Sequence, residues 1–130
     1  MKKYVMYFCT TSSYVKSTLC FATADNIEGP YTYVDTILYS GYGKSNISET
    51  NLYDVLGKNA DISRYLEYGG YNNKEWPNCI DPAIFTDADG RMWMNYGSWS
   101  GGIFLLEIDP TTGYPIYPVD DKDADPYYGY

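Results

Sequence analysis

A weak internal repeat is the feature of this sequence that most restricts the folds open to it. KYVMYFCTTSSYVKSTLCFATADNIEGPYTYVD from Lys3 and RMWMNYGSWSGGIFLLEIDPTTGYPIYPVD from Arg91 each run from a basic residue through an aromatic strand, a Ser-rich turn and a second strand. Each then closes on a Gly-Pro or Gly-Tyr-Pro turn before an extended, Tyr-containing run. Repetition on this scale in a strand-rich chain predicts the radially arranged four-stranded sheets of a β-propeller.

Short apolar runs, each bounded by Gly, Pro, Asn, Asp or Ser residues, predict that the chain is all-β. The runs are residues 3–10, 17–24, 83–86, 91–96 and 102–108. Between the third and fourth runs, TDADG predicts a type I turn in which Gly90 takes a positive φ. A second turn is predicted at DPTTG, from Asp109 to Gly113.

The repeat also predicts how the chain is divided. Its second copy is preceded by an additional strand, DPAIFTDADG, that the first copy lacks, so we expect the chain to begin inside a blade. The expected units are an incomplete blade at 1–40, a long connection at 41–77, a complete blade at 78–119, and an acidic tail at 120–130 that leads to the next blade. Within the connection, a short helix is predicted near Asp61 to Tyr68, with Asp61 as its N-cap.

The charge of the chain excludes two classes of partner. Its net charge is −8, and its nine Lys and Arg residues are scattered singly. Because no basic stripe could neutralise a phosphate backbone or dock on an anionic membrane, we expect neither nucleic acid nor a membrane as a partner. The apolar run from Tyr4 to Cys9 is too short for the core of a signal peptide, and no transmembrane span is expected.

The sequence lacks the His and Cys pattern of a zinc site. The sequence contains no His, and Cys9, Cys20 and Cys79 lack metal-ligand spacing, so we expect three free, buried thiols and no zinc site. The acids of VDDKDADP alternate as in a calcium loop, but Pro126 stands where that loop needs Gly. We interpret the tail as a solvated acidic loop and expect no cofactor or metal in this chain.

The aromatic content of 18% allows two interpretations. Aromatic side chains suit pleated strands, which alone could explain the 17 Tyr residues. Alternatively, flat rings form a carbohydrate-binding surface by packing on the C–H faces of sugars. Composition does not separate these interpretations.

The pair Asp81-Pro82 stands at the mouth of the third apolar run. Pro82 cannot donate a ladder hydrogen bond, so it suits the first residue of a strand, and it favours an extended conformation at Asp81. The first strand of a propeller blade lines the central channel, where Asp81 would point into the pocket. Alternatively, Asp81 caps the turn after Asn78.

The stretches YVMYFCTTSSYVKSTLCFATADNIEGPY and NCIDPAIFTDADGRMWMNYGSWSGGIFLLEIDPTTG together resemble glycoside hydrolase family 43. The resemblance is to its endo-arabinanases, which have a five-bladed β-propeller, and it covers nearly the whole chain. In that family an Asp general base, a second Asp that tunes a pKa and orients substrate, and a Glu general acid converge on the channel.

The resemblance implies a role for two segments of this chain. The family's I-D-P motif matches Ile80-Asp81-Pro82, which makes Asp81 the pKa modulator. The sugar site would be lined by Asn78, Cys79, Ile80, Asp81, Ser98, Trp99 and Ser100. The reaction implied is inverting hydrolysis, with acid and base roughly 6.5–9.5 Å apart. An ionised carboxylate beside the general acid raises the pKa of that acid.

The sequence also departs from the family pattern. The base-bearing Asp belongs to an earlier blade, and the general-acid Glu belongs to a motif beyond Tyr130, so we expect the chain alone to be inactive. Glu28-Gly29-Pro30-Tyr31 mimics the acid motif but follows the strand FATADN, as a non-catalytic family turn does. The resemblance allows a structural calcium in the complete fold, but the His that orders the family's metal is lacking.

The leading hypothesis is part of an endo-1,5-α-L-arabinanase-like enzyme that acts on arabinan or arabinoxylan, from a bacterial parent that is secreted or periplasmic. One alternative is a non-catalytic carbohydrate-binding β-module that uses Trp76, Trp99 and tyrosines as platforms. A third is a structural β-protein without a ligand. Uncovered blade edges further predict oligomers or strand exchange between chains.

Overall fold

The protein is described by a computed structural model that covers residues 3–130. Met1 and Lys2 of the predicted first unit lie outside the described residues. The strands are β1 (Tyr4–Ser13), β2 (Lys16–Ala24), β3 (Thr32–Tyr39), β4 (Leu66–Glu67), β5 (Gly70–Tyr71), β6 (Ala83–Thr86), β7 (Met92–Tyr96), β8 (Phe104–Ile108) and β9 (Pro115–Ile116). Within residues 3–130, the helical elements are one α-helix, α1 (Leu52–Leu56), and two 3-10 turns, Ile47–Glu49 and Ser63–Tyr65. The predicted all-β class is confirmed.

The first sheet is a three-stranded antiparallel meander in the order β1-β2-β3. Its central strand β2 is covered on both faces, and Leu19 and Phe21 are fully buried there. β1 is an edge strand, on which Tyr4 and Met6 are exposed. The C-terminal end of β1, the start of β2 and the end of β3 therefore lie at one end of this sheet, since neighbouring strands run antiparallel.

The second sheet has four antiparallel strands in the order β6-β7-β8-β9. The predicted turn between β6 and β7 is present, because Gly90 has φ +83° and donates its N–H to the Asp87 carbonyl at 3.1 Å. The second predicted turn is present too, and the Gly113 N–H donates to the Asp109 carbonyl at 2.8 Å. All four residues of β6 are exposed, so this strand contributes little to the core.

The connection from 41 to 77 departs from the prediction. The helix predicted near Asp61 to Tyr68 is wrong: α1 lies earlier, and the predicted region forms a 3-10 turn followed by the β4-β5 hairpin. Asp61 Oδ1 accepts the N–H of Ser63 at 3.0 Å, which is an Asx-type turn rather than the cap of an α-helix. Leu52 at the start of α1 is fully buried, so tertiary packing, and not the local capping signal at Asp61, stabilises a helix at Leu52–Leu56.

The tail is more ordered than a solvated loop. The side chain of Asp125 is only 5% exposed. Its carboxylate accepts hydrogen bonds from Tyr65 Oη and from the N–H groups of Tyr127 and Tyr128. Both of these tail tyrosines are fully buried. The interpretation of a solvated acidic loop is therefore wrong for Asp125, because the tail folds back and fills the core between the two sheets.

Candidate functional site

Two segments that sequence reasoning assigned to the sugar site lie side by side at one end of the second sheet. We name residues 78–81 the Asp81 segment and residues 97–102 the Trp99 turn. The Asp81 segment leads into β6, and the Trp99 turn leaves β7. The N–H of Gly97 donates to the Ile80 carbonyl at 2.8 Å, so the β6-β7 ladder continues into the site. The structure thus brings both predicted segments together.

A buried serine from the first sheet holds the Asp81 segment in place. Ser40 follows β3, is 3% exposed, and donates from Oγ to the Val15 carbonyl at 2.7 Å. The same Oγ accepts the N–H of Cys79 at 3.0 Å and lies 3.5 Å from Asn78 Oδ1. Sequence reasoning missed Ser40, because no local motif marks it and its partners lie 25 to 39 residues away.

Asp81 adopts a conformation that the sequence did not predict. The extended backbone expected before Pro82 is wrong, since Asp81 has φ +52°. A non-glycine residue in this region carries strain on the order of 1–3 kcal/mol, and such strain clusters at functional sites. The local preference before proline is overridden here, because hydrogen bonds to the Ile80 carbonyl and from the Cys79 N–H fix the backbone that leads into Asp81.

The carboxylate of Asp81 is free. It is exposed, and it makes no hydrogen bond or ion pair to any other residue in 3–130. A turn cap would accept a backbone N–H through this carboxylate. The alternative that Asp81 merely caps the turn after Asn78 is therefore not supported by the geometry.

The Trp99 turn is also strained, and it presents an aromatic ring to solvent. Trp99 has φ +60° and Ser100 has φ +35°, and the indole of Trp99 is 82% exposed. The turn closes through the Gly102 N–H, which donates to the Trp99 carbonyl at 2.8 Å. A Cβ on Gly101 would lie 2.4 Å from the Glu75 carbonyl oxygen, so this close approach requires glycine.

The remaining predicted site residues differ in accessibility. Ile80 and Ser98 are half-buried, whereas Asn78 is 8% exposed and Cys79 is fully buried. Burial raises the pKa of the Cys79 thiol far above its usual range, so the thiol stays protonated. The Cys79 side chain packs in the core, and the predicted contact between Cys79 and sugar stays a prediction. The hydroxyl oxygen of Ser100 is buried without a hydrogen-bond partner in the described part of the chain.

Trp76 is a structural residue. Its indole N–H donates to the Arg64 carbonyl at 2.7 Å, and its ring stacks on Tyr128 with centroids 5.7 Å apart. It also contacts Tyr65 edge to face at 5.1 Å. The interpretation of Trp76 as a sugar platform is therefore disfavoured, and the exposed ring available at the site is that of Trp99.

Across residues 3–130, no three or more His, Cys, Asp or Glu side chains cluster as metal ligands. No helix in this range is both long and apolar enough to cross a membrane.

Comparisons with known proteins identify the family. No protein-family model matches the sequence. The chain is 37% identical over 115 residues to an extracellular endo-α-(1→5)-L-arabinanase of Thermotoga petrophila, covering 88% of this chain and 21% of that protein. It is 40% identical over 116 residues to extracellular endo-α-(1→5)-L-arabinanase 2 of Bacillus subtilis, covering 88% of this chain and 20% of that protein. A crystal structure of a glycoside hydrolase of family 43 from Bacillus licheniformis superposes with a TM-score of 0.68 at 36% identity, covering 98% of this chain and 23% of that one. The chain belongs to glycoside hydrolase family 43.

The solved structures of family 43 also fix the architecture. The crystal structure of the Thermotoga petrophila endo-1,5-α-L-arabinanase matches with a TM-score of 0.67 at 35% identity, over 98% of this chain and 24% of that one. The chain spans about a fifth of the length of the curated relatives it matches. Its two sheets are accordingly part of a family 43 β-propeller, and the predicted family and fold class are confirmed.

Proposed function

We propose that this chain supplies one catalytic carboxylate, Asp81, and an aromatic sugar platform, Trp99, to an endo-1,5-α-L-arabinanase. The observation that carries the proposal is the conformation of Asp81. Its carboxylate is exposed and unpaired, and its strained backbone is fixed from both sheets at the end where the Trp99 turn lies. An acidic side chain kept free of local partners is available to act on a neighbouring group.

The chemistry proposed for Asp81 is electrostatic. In inverting hydrolysis a protonated carboxylic acid donates to the leaving oxygen, while a carboxylate roughly 6.5–9.5 Å away activates water. The negative charge of Asp81 beside the acid disfavours loss of the proton and so raises the pKa of that acid. The acid then stays protonated near neutral pH, where general acid catalysis contributes on the order of 10²–10⁴-fold.

The rest of the proposal concerns the whole protein. The relatives are named as extracellular arabinanases, and an α-L-arabinanase of Cellvibrio cellulosa, alike in fold, is known in complex with arabinohexaose. We therefore propose a secreted parent enzyme with arabinan as substrate. Hydrolysis requires the general base and general acid, which we expect on blades outside residues 1–130. Without that general acid, Asp81 would have no pKa to raise.

The test compares Asp81→Asn with Asp89→Asn in the enzyme that joins this chain to the blades carrying the other two acids. Asp89 is an exposed acid at the opposite end of β6 and serves as the matched control. We expect Asp81→Asn to move the alkaline limb of the pH–rate profile on debranched arabinan to lower pH, because the general acid loses the neighbouring negative charge that raises its pKa. An unchanged profile would refute the role proposed for Asp81.

A second proposal concerns association of the chain. β1 and β6 are edge strands, and on β6 Ile84 and Phe85 are exposed at 39% and 44%. Unpaired backbone groups beside exposed apolar side chains favour pairing with another chain. We propose that the isolated 130-residue chain self-associates through these edges.

A further inference from the structure

The Trp99 turn depends on contacts from outside for its shape. Gly97, Trp99, Ser100 and Gly102 all have positive φ, between +35° and +106°. Inside the turn the Gly102 N–H donates to the Trp99 carbonyl at 2.8 Å, and within residues 3–130 no other hydrogen bond joins two residues of the turn. Because non-glycine residues at positive φ are strained, Trp99 and Ser100 keep this conformation only where the surroundings impose it.

Among residues 3–130, two backbone hydrogen bonds hold the turn from outside, one at each side. At its start, the Gly97 N–H binds the Ile80 carbonyl at 2.8 Å. At its far side, the Gly101 N–H donates to the Trp76 carbonyl at 3.1 Å. A Cβ on Gly101 would lie 2.7 Å from the Trp76 backbone nitrogen, so the two backbones are in direct contact. The place of the Trp76 backbone therefore sets the place of the turn.

The indole of Trp76 is held by aromatic rings from three parts of the chain. It stacks on Tyr128 of the tail with centroids 5.7 Å apart, and it contacts Tyr65 of the long connection edge to face at 5.1 Å. The ring of Phe104, which begins β8 after the turn, lies 6.3 Å away. The indole N–H also donates to the Arg64 carbonyl at 2.7 Å. Because rings and a hydrogen bond hold the indole, the Trp76 backbone beside Gly101 is held as well.

A buried carboxylate anchors two of these rings. Asp125 Oδ2 accepts from Tyr65 Oη at 2.9 Å and from the Tyr128 N–H at 2.8 Å. Hydrogen bonds to a carboxylate are stronger than those between neutral groups. A continuous set of contacts thus leads from Asp125 in the tail, through Trp76, to the Trp99 turn.

We propose that Trp76 is a positioning residue that holds the Trp99 turn, so that the exposed Trp99 ring meets sugar in one fixed position. The proposal rests on the proposed function, because it takes Trp99 as the sugar platform. It adds that affinity for sugar depends on a residue that does not touch the sugar. A ring ordered in advance binds more tightly than one that must be ordered when the ligand arrives.

Amide hydrogen exchange in the 130-residue chain tests the contact between Trp76 and the turn. We expect Gly101 to exchange about five- to tenfold faster in Trp76→Leu, as weakening of one hydrogen bond does. Trp76→Phe keeps a ring in the stack but lacks the indole N–H, so its Gly101 should exchange about two- to threefold faster. Ile37→Ala, which removes a buried side chain from β3, is the control for a general loss of stability and should leave Gly101 unchanged.

Calorimetry with arabinohexaose tests the effect on sugar binding. Trp76→Leu should weaken binding to the 130-residue chain by about two- to tenfold, as expected when one side chain is no longer ordered in advance. Trp99→Ala removes the platform itself and should weaken binding further. Ile37→Ala should bind as the unaltered chain does at a temperature where both are folded.

The outcomes separate this proposal from the proposed function. Gly101 exchange that is no faster in the Trp76 variants than in Ile37→Ala would refute the positioning role, and Trp76→Phe decides alone if Trp76→Leu does not fold. Weaker binding in Trp99→Ala with unchanged binding in Trp76→Leu would also refute it, while the proposed function stands. An equal loss of affinity in Ile37→Ala would show a general effect and refute it too. If Trp99→Ala binds arabinohexaose as the unaltered chain does, or neither binds it, the sugar platform is refuted and the positioning role with it.

Discussion

Replacing Ser40 with alanine should both destabilise the protein and loosen the Asp81 segment. Ser40 is buried, and its hydroxyl bridges the end of the first sheet to the strand entrance of the second by bonding Val15 and Cys79. Ser40→Ala removes both hydrogen bonds and adds no bulk. Because the backbone N–H of Ser40 still donates to the Ser17 carbonyl at 3.0 Å, the β2-β3 ladder itself remains intact.

The expected loss of stability follows from the two backbone groups that lose their hydrogen-bond partner. Cys79 is fully buried, so its N–H stays unpaired at a cost of about 1–3 kcal/mol. The Val15 carbonyl belongs to a half-buried turn that water can reach, so it adds little. We expect the free energy of unfolding to fall by about 2 kcal/mol. For a chain of this size that corresponds to a drop in Tm of roughly 5–10 °C.

Thermal unfolding and amide hydrogen exchange would check this. Ser45→Ala is the matched control, since Ser45 is exposed and its side chain has no hydrogen bond within the described residues. The Cys79 amide should exchange much faster in Ser40→Ala than in Ser45→Ala. Equal Tm values for the two variants, together with an unchanged exchange rate at Cys79, would refute the bridging role of Ser40.

Two more predictions concern solution behaviour. Burial raises the pKa of Tyr7 to about 12 and holds those of Tyr96, Tyr127 and Tyr128 well above their usual range. Because the folded state then binds more protons than the unfolded state above about pH 10, this contribution to stability should be fully present below that pH and fall as pH rises further. The tyrosinate absorbance of these buried residues should appear together with loss of circular dichroism. Light scattering should show oligomers of the isolated chain at high micromolar concentration, and a clean monomer with a cooperative unfolding transition would contradict association through the strand edges.

The parts of the structure that the sequence predicted are those determined locally. The turn at Gly90 depends on an Asp whose own side chain organises it, since Asp87 Oδ1 accepts the N–H groups of Asp89 and Arg91 at 2.9 Å. In the second turn, the Asp109 carboxylate likewise accepts the N–H of Thr111. Residue types within five positions suffice for such turns, so the strand order around them was predictable too.

The parts that could not be predicted depend on distant contacts. Asp81 has positive φ because partners in the turn after β7 and at the end of β3 hold its neighbours, which outweighs the local effect of Pro82. The tail was interpreted as solvated because it is acidic. The Asp125 side chain is instead buried and accepts a hydrogen bond from Tyr65, which lies 60 residues earlier in the sequence.

The long connection from 41 to 77 supports the site, although much of it has the composition of a loop. Tyr71 Oη donates to the Pro77 carbonyl at 2.6 Å and lies 3.1 Å from Tyr128 Oη, which donates to the Tyr39 carbonyl at 2.7 Å. Pro77, the residue before Asn78, is therefore linked through two side chains to the end of β3, which Ser40 directly follows. Two sets of buried hydrogen bonds, one through Ser40 and one through Tyr71 and Tyr128, thus connect the residues before Asp81 to the C-terminal end of β3. Loss of either set should relax the strained backbone of Asp81 and leave the second sheet in place.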